Sequence, residues 1–422
     1  MKSLLERTKA FFAILGPGLI TGAADDDPSG ISTYSVAGAT TGLSTLWLAL
    51  LSTPMMAVVQ GMCARLTLVT GRELSALMRS YLPTWVAYTL AIAVIGANTI
   101  NIGADVAGMA AAGALFVHVP VWTLVVGFGA LTLAMQVYLS YAKMARVIKW
   151  LTLTLFAYVI TAFIVHANWL DVFKHLVVPE VRFNASWFAV AVGLLGTTIT
   201  PYLFFWQSAL ELEEAKERGE TTVKQRRGTD EHQLADAHAD VNAGMIFSNV
   251  VAVFIIVTTA VMLGGHGGHI ASAQDAAEAL RPLAGNFAYA LFALGMVGTG
   301  LLAIPALSGS SAYLAAGTFQ FREGLDKRPR AARKFYAVLV GGVVVGVGLT
   351  FLGINPIDAL FWSAIVNGIA AVPLIAAIVW LASNRKIMGK WVSSPLARVW
   401  GWFCVAIMGV AAVAFAVTSF HK

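Results

Sequence analysis

The sequence predicts an all-α integral membrane protein with eleven transmembrane helices, arranged as an inverted repeat of five plus five helices and one further helix. Three observations predict this fold class. Hydrophobic residues make up 58% of the chain and charged residues only 12%, whereas a soluble domain carries about 25% charged residues. Apolar runs of about 18 residues or more alternate with short charged loops, which is typical of helices rather than of barrel strands. Two runs, five spans apart, contain helix-breaking residues, as an inverted repeat would require.

The apolar runs place the spans near residues 12–40, 44–68, 83–115, 121–140, 147–167, 186–211, 242–263, 286–318, 335–354, 357–382 and 397–418. We treat residues 1–422 as one integral membrane domain. Within it, repeat one covers about 12–167, repeat two covers about 186–382, and 397–418 is an additional helix outside the repeats. The repeat rests on the position of the breaks, since no strong internal sequence identity supports it.

The distribution of basic residues predicts the orientation in the membrane. With the N-terminus in the cytoplasm, 24 of the 28 Lys and Arg residues fall on the inner side, which is the bias expected of cytoplasmic loops. We therefore expect a multi-pass protein of the inner (cytoplasmic) membrane whose C-terminus is external. The isoelectric point near 9.3 reflects these loops, so the lipid bilayer is a partner and nucleic acid is not. The most basic loop, 322–334, is expected to sit against anionic lipid.

The first span contains three consecutive carboxylates, Asp25, Asp26 and Asp27, followed by Pro28 and Gly30. Ionised residues within a membrane helix are energetically costly and mark ion or substrate paths. Proline and glycine favour unwinding of the helix, which is tolerated at membrane depth where the backbone is buried in protein or lines a wet cavity. Asp27 also fits the N-cap of a helix that starts at Pro28, and both roles are compatible. We predict a broken helix with a cation site at the break.

The sixth span contains a second predicted break, where Gly196 and Pro201 bracket the hydroxyl residues Thr197, Thr198 and Thr200. In folds with two interrupted helices, the substrate site lies near the midplane of the membrane between the two breaks. The sequence therefore predicts that these threonines face the carboxylates of the first span.

Polar residues also occur within the third and tenth spans. Asn98, Asn101 and Asp105 are spaced by three and four residues and so share one helix face. An ion path and hydrogen bonding between helices explain this stripe equally well. Asn367 of the tenth span is a candidate neutral oxygen ligand, although hydrogen bonding between helices is the simpler interpretation.

Taken together, the segments Gly16-Pro17-Gly18, Asp27-Pro28-Ser29-Gly30 and Thr200-Pro201 resemble motifs of the Nramp divalent-metal transporters. The resemblance covers about the first ten spans. It implies a LeuT-like fold with the inverted repeat described above, and import of divalent metal ions as the activity. The metal ion is then the transported substrate, and no cofactor is expected.

The resemblance also implies a set of metal-site residues. Asp27 matches the metal-binding aspartate of the family, and Thr197 matches the position whose backbone carbonyl binds the metal. Gly30 stands where most members have a ligating Asn, and Thr200 stands where they have a ligating Met. These four residues form the predicted metal site.

Other positions depart further from the family pattern. Tyr202 and Gln207 replace two histidines of the sixth span, Asp105 stands where a Glu usually lies, and Ile102 occupies the place of a proton-path acid. These exchanges resemble the Nramp-related magnesium transporters. The supporting residues of the predicted site are Asp25, Asp26, Asp105, Tyr202, Gln207 and Asn367.

Ligand chemistry independently favours Mg²⁺, with Mn²⁺ also carried. A thioether prefers transition metals, whereas hydroxyl, carbonyl and carboxylate oxygens suit Mg²⁺ and Mn²⁺. Mg²⁺ keeps several waters and uses one or two carboxylates, which fits a roomy site with Asp27 as its main direct ligand. Because the two histidines are missing, a titratable relay near neutral pH is largely absent, and we expect weak or no proton coupling.

Several alternatives remain open at this point. The nearest is a proton-coupled Mn²⁺ or Fe²⁺ importer of the ordinary Nramp type, and a more distant one is an amino-acid transporter on the same scaffold. An intramembrane protease using Asp27 with Asp105 or Asp358 lacks a recognisable motif, so we expect no enzyme. The paired breaks disfavour a pure channel. The oligomeric state does not follow from the sequence, and a monomer is compatible with it.

Overall fold

In the computed structural model, residues 16–138, 153–264, 270–325, 327 and 329–420 are described, and their regular structure is helical throughout. The first half contains α1 Pro17–Asp25, α2 Pro28–Thr41, α3 Leu46–Thr70, α4 Leu74–Tyr81, α5 Thr84–Gly113, α6 Val121–Tyr138, α7 Phe156–Ile164 and α8 Trp169–Val177. The second half contains α9 Ala185–Thr198, α10 Pro201–Glu217, α11 Val223–Arg226, α12 Glu231–Leu263, α13 Ala273–Glu278, α14 Arg281–Ala284, α15 Ala288–Phe319, α16 Arg333–Leu349, α17 Pro356–Ser383, α18 Arg385–Met388 and α19 Pro395–Phe420. Short 3₁₀ turns occur at Leu153–Leu155, Gly285–Phe287, Thr350–Leu352 and Gly389–Trp391.

The helices correspond to the predicted spans. Among the described residues, nine helical stretches are long and apolar enough to cross a membrane. The remaining two predicted spans are the first, which is divided into the short helices α1 and α2, and the fifth, of which the structure describes the part around α7. Residues 12–15, 139–140 and 147–152 of the predicted spans lie outside the described residues.

Between the predicted sixth and seventh spans, the charged residues 211–240 are expected to form a cytoplasmic loop, but most of this segment is helical. Helix α10 continues to Glu217, α11 follows, and α12 begins at Glu231, eleven residues before the predicted span at 242. The start of α12 is fixed by Asp230, whose side chain accepts a hydrogen bond from the Gln233 amide at 2.8 Å. Charged residues such as Glu and Lys are good helix formers, so the helices extend beyond the apolar segments that hydropathy detects.

Helix α5 lies at the centre of one group of helices and packs against α15, α16 and α17. Helix α12 lies at the centre of a second group and packs against α1, α2 and α3. Helix α9 connects the groups through its contacts with α17 and α2. The first interrupted span therefore belongs to the second group, and α9 of the sixth span contacts both groups.

Close helix crossings depend on glycines. A Cβ on Gly22 of α1 would overlap the carbonyl group of Gly244 on α12. A Cβ on Gly196 of α9 would lie 2.5 Å from the amide nitrogen of Gly368 on α17. In a membrane, such crossings are stabilised by backbone packing rather than by the hydrophobic effect. Both interrupted spans are therefore held by contacts that a larger side chain would disrupt.

The N-terminus of α1 is capped by a residue from another helix. Asp240 of α12 accepts hydrogen bonds from the amides of Gly16, Gly18 and Leu19 at 2.9, 2.6 and 3.0 Å. The first amides of a helix lack partners within the helix and carry partial positive charge. The carboxylate of Asp240 satisfies them and fixes α1 to α12.

We expect Gly22→Ala to lower the thermal unfolding temperature of the purified protein in detergent, because the added methyl group overlaps α12 and overpacking typically costs about 1–3 kcal/mol. Gly61→Ala in α3 is the matched control, since no atom lies within 4 Å of a Cβ built there. It should leave the unfolding temperature unchanged or raise it. Equal unfolding temperatures for both variants would contradict the close crossing of α1 and α12.

Candidate functional site

The first span is interrupted between α1 and α2. Asp26 and Asp27 lie outside both helices, with Asp26 at φ −80° and ψ 57° and Asp27 in an extended conformation. Pro28 occupies the first turn of α2, where the missing N–H is of no consequence. The interruption is shorter than the predicted break over 25–30, since Gly30 is already helical.

The sixth span is interrupted in the same way. Helix α9 ends at Thr198 and α10 begins at Pro201, so Ile199 and Thr200 connect the two helices. Thr200 is extended and precedes a proline at the first turn, as Asp27 does in the first span. Both predicted breaks are therefore present.

The two breaks lie next to each other. A Cβ built on Gly30 would lie 3.3 Å from Oδ1 of Asp27, 3.3 Å from Oγ1 of Thr197 and 3.5 Å from the carbonyl oxygen of Asp25. The hydroxyl of Tyr202 donates a hydrogen bond to the carbonyl oxygen of Ala24 at 2.7 Å, which joins the start of α10 to the end of α1. Three of the four predicted metal-site residues thus lie together, and they pack so closely that a side chain at Gly30 would be in tight contact with the other two.

Asp27 is buried, with 2% of its surface exposed, and both of its carboxylate oxygens accept hydrogen bonds. Oδ1 accepts from the Gly30 amide at 2.6 Å and from the Ser29 hydroxyl at 2.9 Å. Oδ2 accepts from Nδ2 of Asn101 at 3.1 Å. The N-cap role and a ligand role are compatible, because two carboxylate oxygens offer about four lone-pair directions. The hydrogen bonds fix the orientation of the carboxylate.

Asn101 connects this carboxylate to two further residues. Its Nδ2 also donates to Oδ2 of Asp105 at 2.9 Å, and its Oδ1 accepts from Nδ2 of Asn367 at 2.6 Å. Asn98, on the same stripe, instead donates to two serines of α15 at 3.1 and 2.9 Å. Hydrogen bonding between helices therefore accounts for the contacts of both Asn98 and Asn101, and the ion path stays a prediction.

Asp25 and Asp26 are each 1% exposed and share one donor. The hydroxyl of Ser248 on α12 lies 2.6 Å from Oδ2 of Asp25 and 3.1 Å from Oδ1 of Asp26, and it has a single proton to donate. Within the described part of the chain, no donor reaches Oδ1 of Asp25 or Oδ2 of Asp26. Burying a carboxylate without a partner is costly, so this end of α1 favours the approach of a cation.

No described lysine, arginine or histidine forms an ion pair with a carboxylate at the breaks. The described residues also contain no group of three or more His, Cys, Asp or Glu side chains placed to hold a metal ion. An ion at this position would therefore combine Asp27 with hydroxyl, carbonyl and water oxygens. Such ligands suit Mg²⁺, Ca²⁺ and Mn²⁺.

Thr200 and Gln207 lie on the sixth span but differ in their surroundings. The side chain of Thr200 is buried, and its hydroxyl has no hydrogen-bond partner among the residues that the structure describes. Gln207 lies seven residues further along α10, about 10 Å from the break, and its Nε2 donates to Oε1 of Glu211 at 2.9 Å. The structure therefore does not bring Gln207 to the breaks, and its contact is with Glu211.

Helix polarity at the junction also favours a cation. The carboxyl ends of α1 and α9 point their last carbonyl groups toward the breaks, and helix carboxyl ends carry partial negative charge. The N-terminus of α2 is capped by Asp27. A substrate carboxylate, as in an amino acid, would meet Asp27 there rather than free amide groups, so the amino-acid alternative is disfavoured.

A cavity of about 450 Å³ opens at the end of the bundle that the charge bias assigns to the cytoplasm. Its lining includes Gly16, Glu211, Glu214 and Asp240. Asp27 is buried, and the part of the cavity at Glu211 lies eleven residues, or about 16 Å, along α10 from Thr200. The junction is therefore closed to solvent.

Sequence reasoning missed three residues that organise the junction. Asn101 was recognised as part of a polar stripe, but its contact with Asp27 was not anticipated. Ser248 gave no signal, since a single serine in an apolar span is common. Asp240 was assigned to a loop, so its role at the N-terminus of α1 was not considered.

We expect Asn101→Ala to weaken Mn²⁺ binding to the purified protein by about 10–100-fold, because partners that orient a ligating side chain typically contribute that much. Asn98→Ala is the matched control, since it removes the same side chain from the same helix face without touching Asp27. Isothermal titration of both variants with Mn²⁺ measures the difference. Equal affinities would show that the Asn101 contact does not support the site.

Comparison with known proteins identifies the family. Residues 18–418 match the Nramp family, described as natural resistance-associated macrophage protein-like. The divalent metal cation transporter MntH of Acidiphilium cryptum (strain JF-5) is 28% identical over 383 residues, covering 89% of this chain and 83% of that protein. MntH of Klebsiella pneumoniae (strain 342) is 25% identical over 408 residues, covering 95% and 92%.

Solved structures share the fold. The Eremococcus coleocola manganese transporter, crystallised with an aromatic bis-isothiourea substituted compound, aligns with a TM-score of 0.73 at 18% identity, covering 99% of this chain and 88% of that chain. A nucleobase-cation-symport-1 family transporter in a closed conformation aligns with a TM-score of 0.53 at 12% identity, covering 96% and 93%. The predicted all-α, LeuT-like fold with interrupted first and sixth spans is confirmed, and this chain belongs to the Nramp family.

Proposed function

We propose that this chain is a secondary transporter that imports divalent metal cations, preferentially Mg²⁺ and also Mn²⁺, as partly hydrated ions. The observation that carries the proposal is the buried, oriented carboxylate of Asp27 at the meeting point of two interrupted helices. The names of its relatives, which are divalent metal cation transporters, support the substrate class. No resident cofactor is proposed, since the metal ion is the cargo.

The preference for Mg²⁺ is supported by the side chains at the junction. Gly30 contributes no side-chain ligand, and a Cβ there would be in tight contact with Asp27 and Thr197, at 3.3 Å from an oxygen of each. Thr200 offers a hydroxyl without a partner among the described residues, where a thioether would favour transition metals. Mg²⁺ dehydrates reluctantly and keeps several waters, so we propose that the ion reaches Asp27 partly hydrated and that its water molecules contact Thr200 and the backbone carbonyl of Thr197.

Asp25, Asp26 and Asp105 complete the electrostatics of the proposed site. Each is buried; Asp25 and Asp26 directly precede Asp27 in the chain, and Asp105 accepts a hydrogen bond from the same Asn101 amide as Asp27 does. Their carboxylates make the potential at the junction more negative without requiring direct contact with the ion. This field offsets part of the cost of taking a divalent ion from water into the membrane.

We further propose that proton coupling is weak or absent. The two positions that carry histidines in most Nramp proteins are Tyr202 and Gln207, and histidine is the side chain that ordinarily titrates near neutral pH. The membrane potential supplies about 2.3 kcal/mol per charge per 100 mV. A divalent ion gains twice that amount on entry, which is a sufficient driving force for uptake.

A proton-coupled Mn²⁺ importer is the second candidate function. The Eremococcus coleocola protein with the same fold is a manganese transporter, which favours this alternative. The two candidates differ in their response to Mg²⁺. Millimolar Mg²⁺ competes with Mn²⁺ for transport under the first proposal and not under the second.

Uptake of Mg²⁺ and Mn²⁺ into proteoliposomes tests the proposed metal site. A pH-sensitive dye inside the vesicles tests proton coupling in the same experiment. Asp27→Ala is expected to reduce uptake of both ions at least tenfold, whereas Asp358→Ala, which removes an exposed carboxylate at the start of α17, should leave it unchanged. In the wild type, we expect metal uptake without stoichiometric acidification. Retained uptake in Asp27→Ala would refute the site, and tightly linked acidification would refute the uncoupled mechanism.

Thr200→Met tests the ligand chemistry. Because it introduces a soft thioether at the junction, we expect the ratio of Mn²⁺ or Cd²⁺ uptake to Mg²⁺ uptake to rise several-fold. Thr200→Val is the matched control, since it removes the hydroxyl without adding sulfur and should not shift the ratio toward the softer ions. If Thr200→Met leaves the ratio of Mn²⁺ or Cd²⁺ uptake to Mg²⁺ uptake unchanged, the side chain at this position does not determine the preference for Mg²⁺.

A further inference from the structure

A second cavity, of about 460 Å³, lies on the same face of the protein as the basic loops and is separate from the metal junction. Its walls come from α4, α11, α15 and the segments that follow α3 and α15. The cationic residues that line it are Arg72, Arg79, Arg226, Arg322 and Lys327, and the lining carboxylates are Glu73 and Glu323. The lining thus carries more positive than negative side chains.

Neighbouring acids offset the charge of these cations only in part, through the attraction between Lys327 and Glu323. None of the five forms an ion pair with another described residue. Arg226 donates to the backbone carbonyls of Glu220 and Thr221 at 3.0 and 2.9 Å. Arg79 donates to the hydroxyl of Thr84 at 3.1 Å, and its buried Nε has no partner within the described structure. Guanidinium groups therefore remain available to an anion.

Glu73 and Glu323 reduce the positive potential of the cavity by less than two full negative charges would. Burial, reinforced by repulsion from Glu323, raises the pKa of Glu73 well above its ordinary value. Burial likewise raises the pKa of Glu323. Glu73 also accepts a hydrogen bond from the hydroxyl of Ser75 at 3.2 Å, so it is engaged with the protein rather than with the arginines.

Exposed aromatic residues lie close in sequence to residues that line the cavity. Trp85 is 72% exposed, and Tyr81 and Phe319 are also exposed. Tyr88 stacks on Phe319 with ring centroids 5.3 Å apart, and the guanidinium of Arg79 lies 5.4 Å from the centroid of Tyr88. Tryptophan and tyrosine concentrate at membrane interfaces, at the level of the lipid headgroups. The aromatic side chains therefore place Arg79 at the depth of a lipid phosphate.

We propose that this cavity binds the phosphate of an anionic phospholipid, with the arginines holding the headgroup and the acyl chains lying along Trp85 and Phe319. Arginine presents a planar fork of donors that matches phosphate oxygens in a bidentate geometry. Basic pockets at the cytoplasmic ends of membrane helices are suited to anionic headgroups. The exposed aromatic residues favour a lipid over a free phosphate compound, because the latter has no apolar part to contact them. This proposal does not depend on the identity of the transported ion.

Native mass spectrometry of the full-length protein in detergent, supplied with phosphatidylglycerol or phosphatidylcholine, tests the proposal. We expect one phosphatidylglycerol molecule to be retained selectively, and Arg79→Gln/Arg322→Gln to reduce its retention at least tenfold. Arg385→Gln/Lys386→Gln is the matched control, since it removes two exposed cations from α18 on the same face and should retain the lipid. Arg79→Lys/Arg322→Lys keeps the charge but not the fork, and we expect intermediate retention.

Inorganic phosphate in large molar excess over the protein distinguishes the two sources of a phosphate group. We expect it neither to displace phosphatidylglycerol nor to raise the unfolding temperature. Stabilisation by inorganic phosphate without selective lipid retention would overturn the lipid assignment. Equal retention of both lipids, or equal loss in the cavity and control variants, would overturn the site itself. A monodisperse elution profile of the glutamine variant shows that its loss of lipid does not arise from unfolding.

Discussion

The structure depends on three carboxylates that are buried at a break in a membrane helix. Among the described residues, no cationic side chain forms an ion pair with them. Burying an unpaired charge is costly, and the protein reduces this cost with donors from several helices. Asn101 and Ser29 bond Asp27, and Ser248 bonds its two neighbours. The negative potential that remains is what the proposed divalent cation would neutralise.

Helix α12 holds the short helix α1 along its whole length. Asp240, Gly244 and Ser248 follow one another at intervals of four residues and so lie on one face of α12. Asp240 caps the N-terminus of α1, Gly244 allows its middle to approach closely, and Ser248 bonds the carboxylates at its end. A helix of nine residues is too short to be stable alone, so its position at the junction is set by α12.

The sequence predicts those features of the fold and the junction that depend on residues adjacent in the chain. The spans follow from hydropathy, and the breaks follow from proline and glycine beside carboxylates and hydroxyls, since these effects depend on adjacent residues. Asn101 contacts Asp27, and Ser248 contacts α1, because helices that are distant in sequence face each other. A single sequence does not show which helices face each other. The end of α10 and the start of α12 were misjudged because hydropathy reports burial in lipid and not helix length. The limits of the two repeats stay a prediction.

The central claim is that Asp27 holds the transported ion at the meeting point of the two breaks. Anomalous diffraction from crystals grown with Mn²⁺ tests it most directly, because it locates the ion without reference to transport. The account predicts a peak beside the carboxylate of Asp27, in the space between Gly30, Thr197 and Thr200. A strong peak elsewhere in the protein, with none beside Asp27, would contradict it.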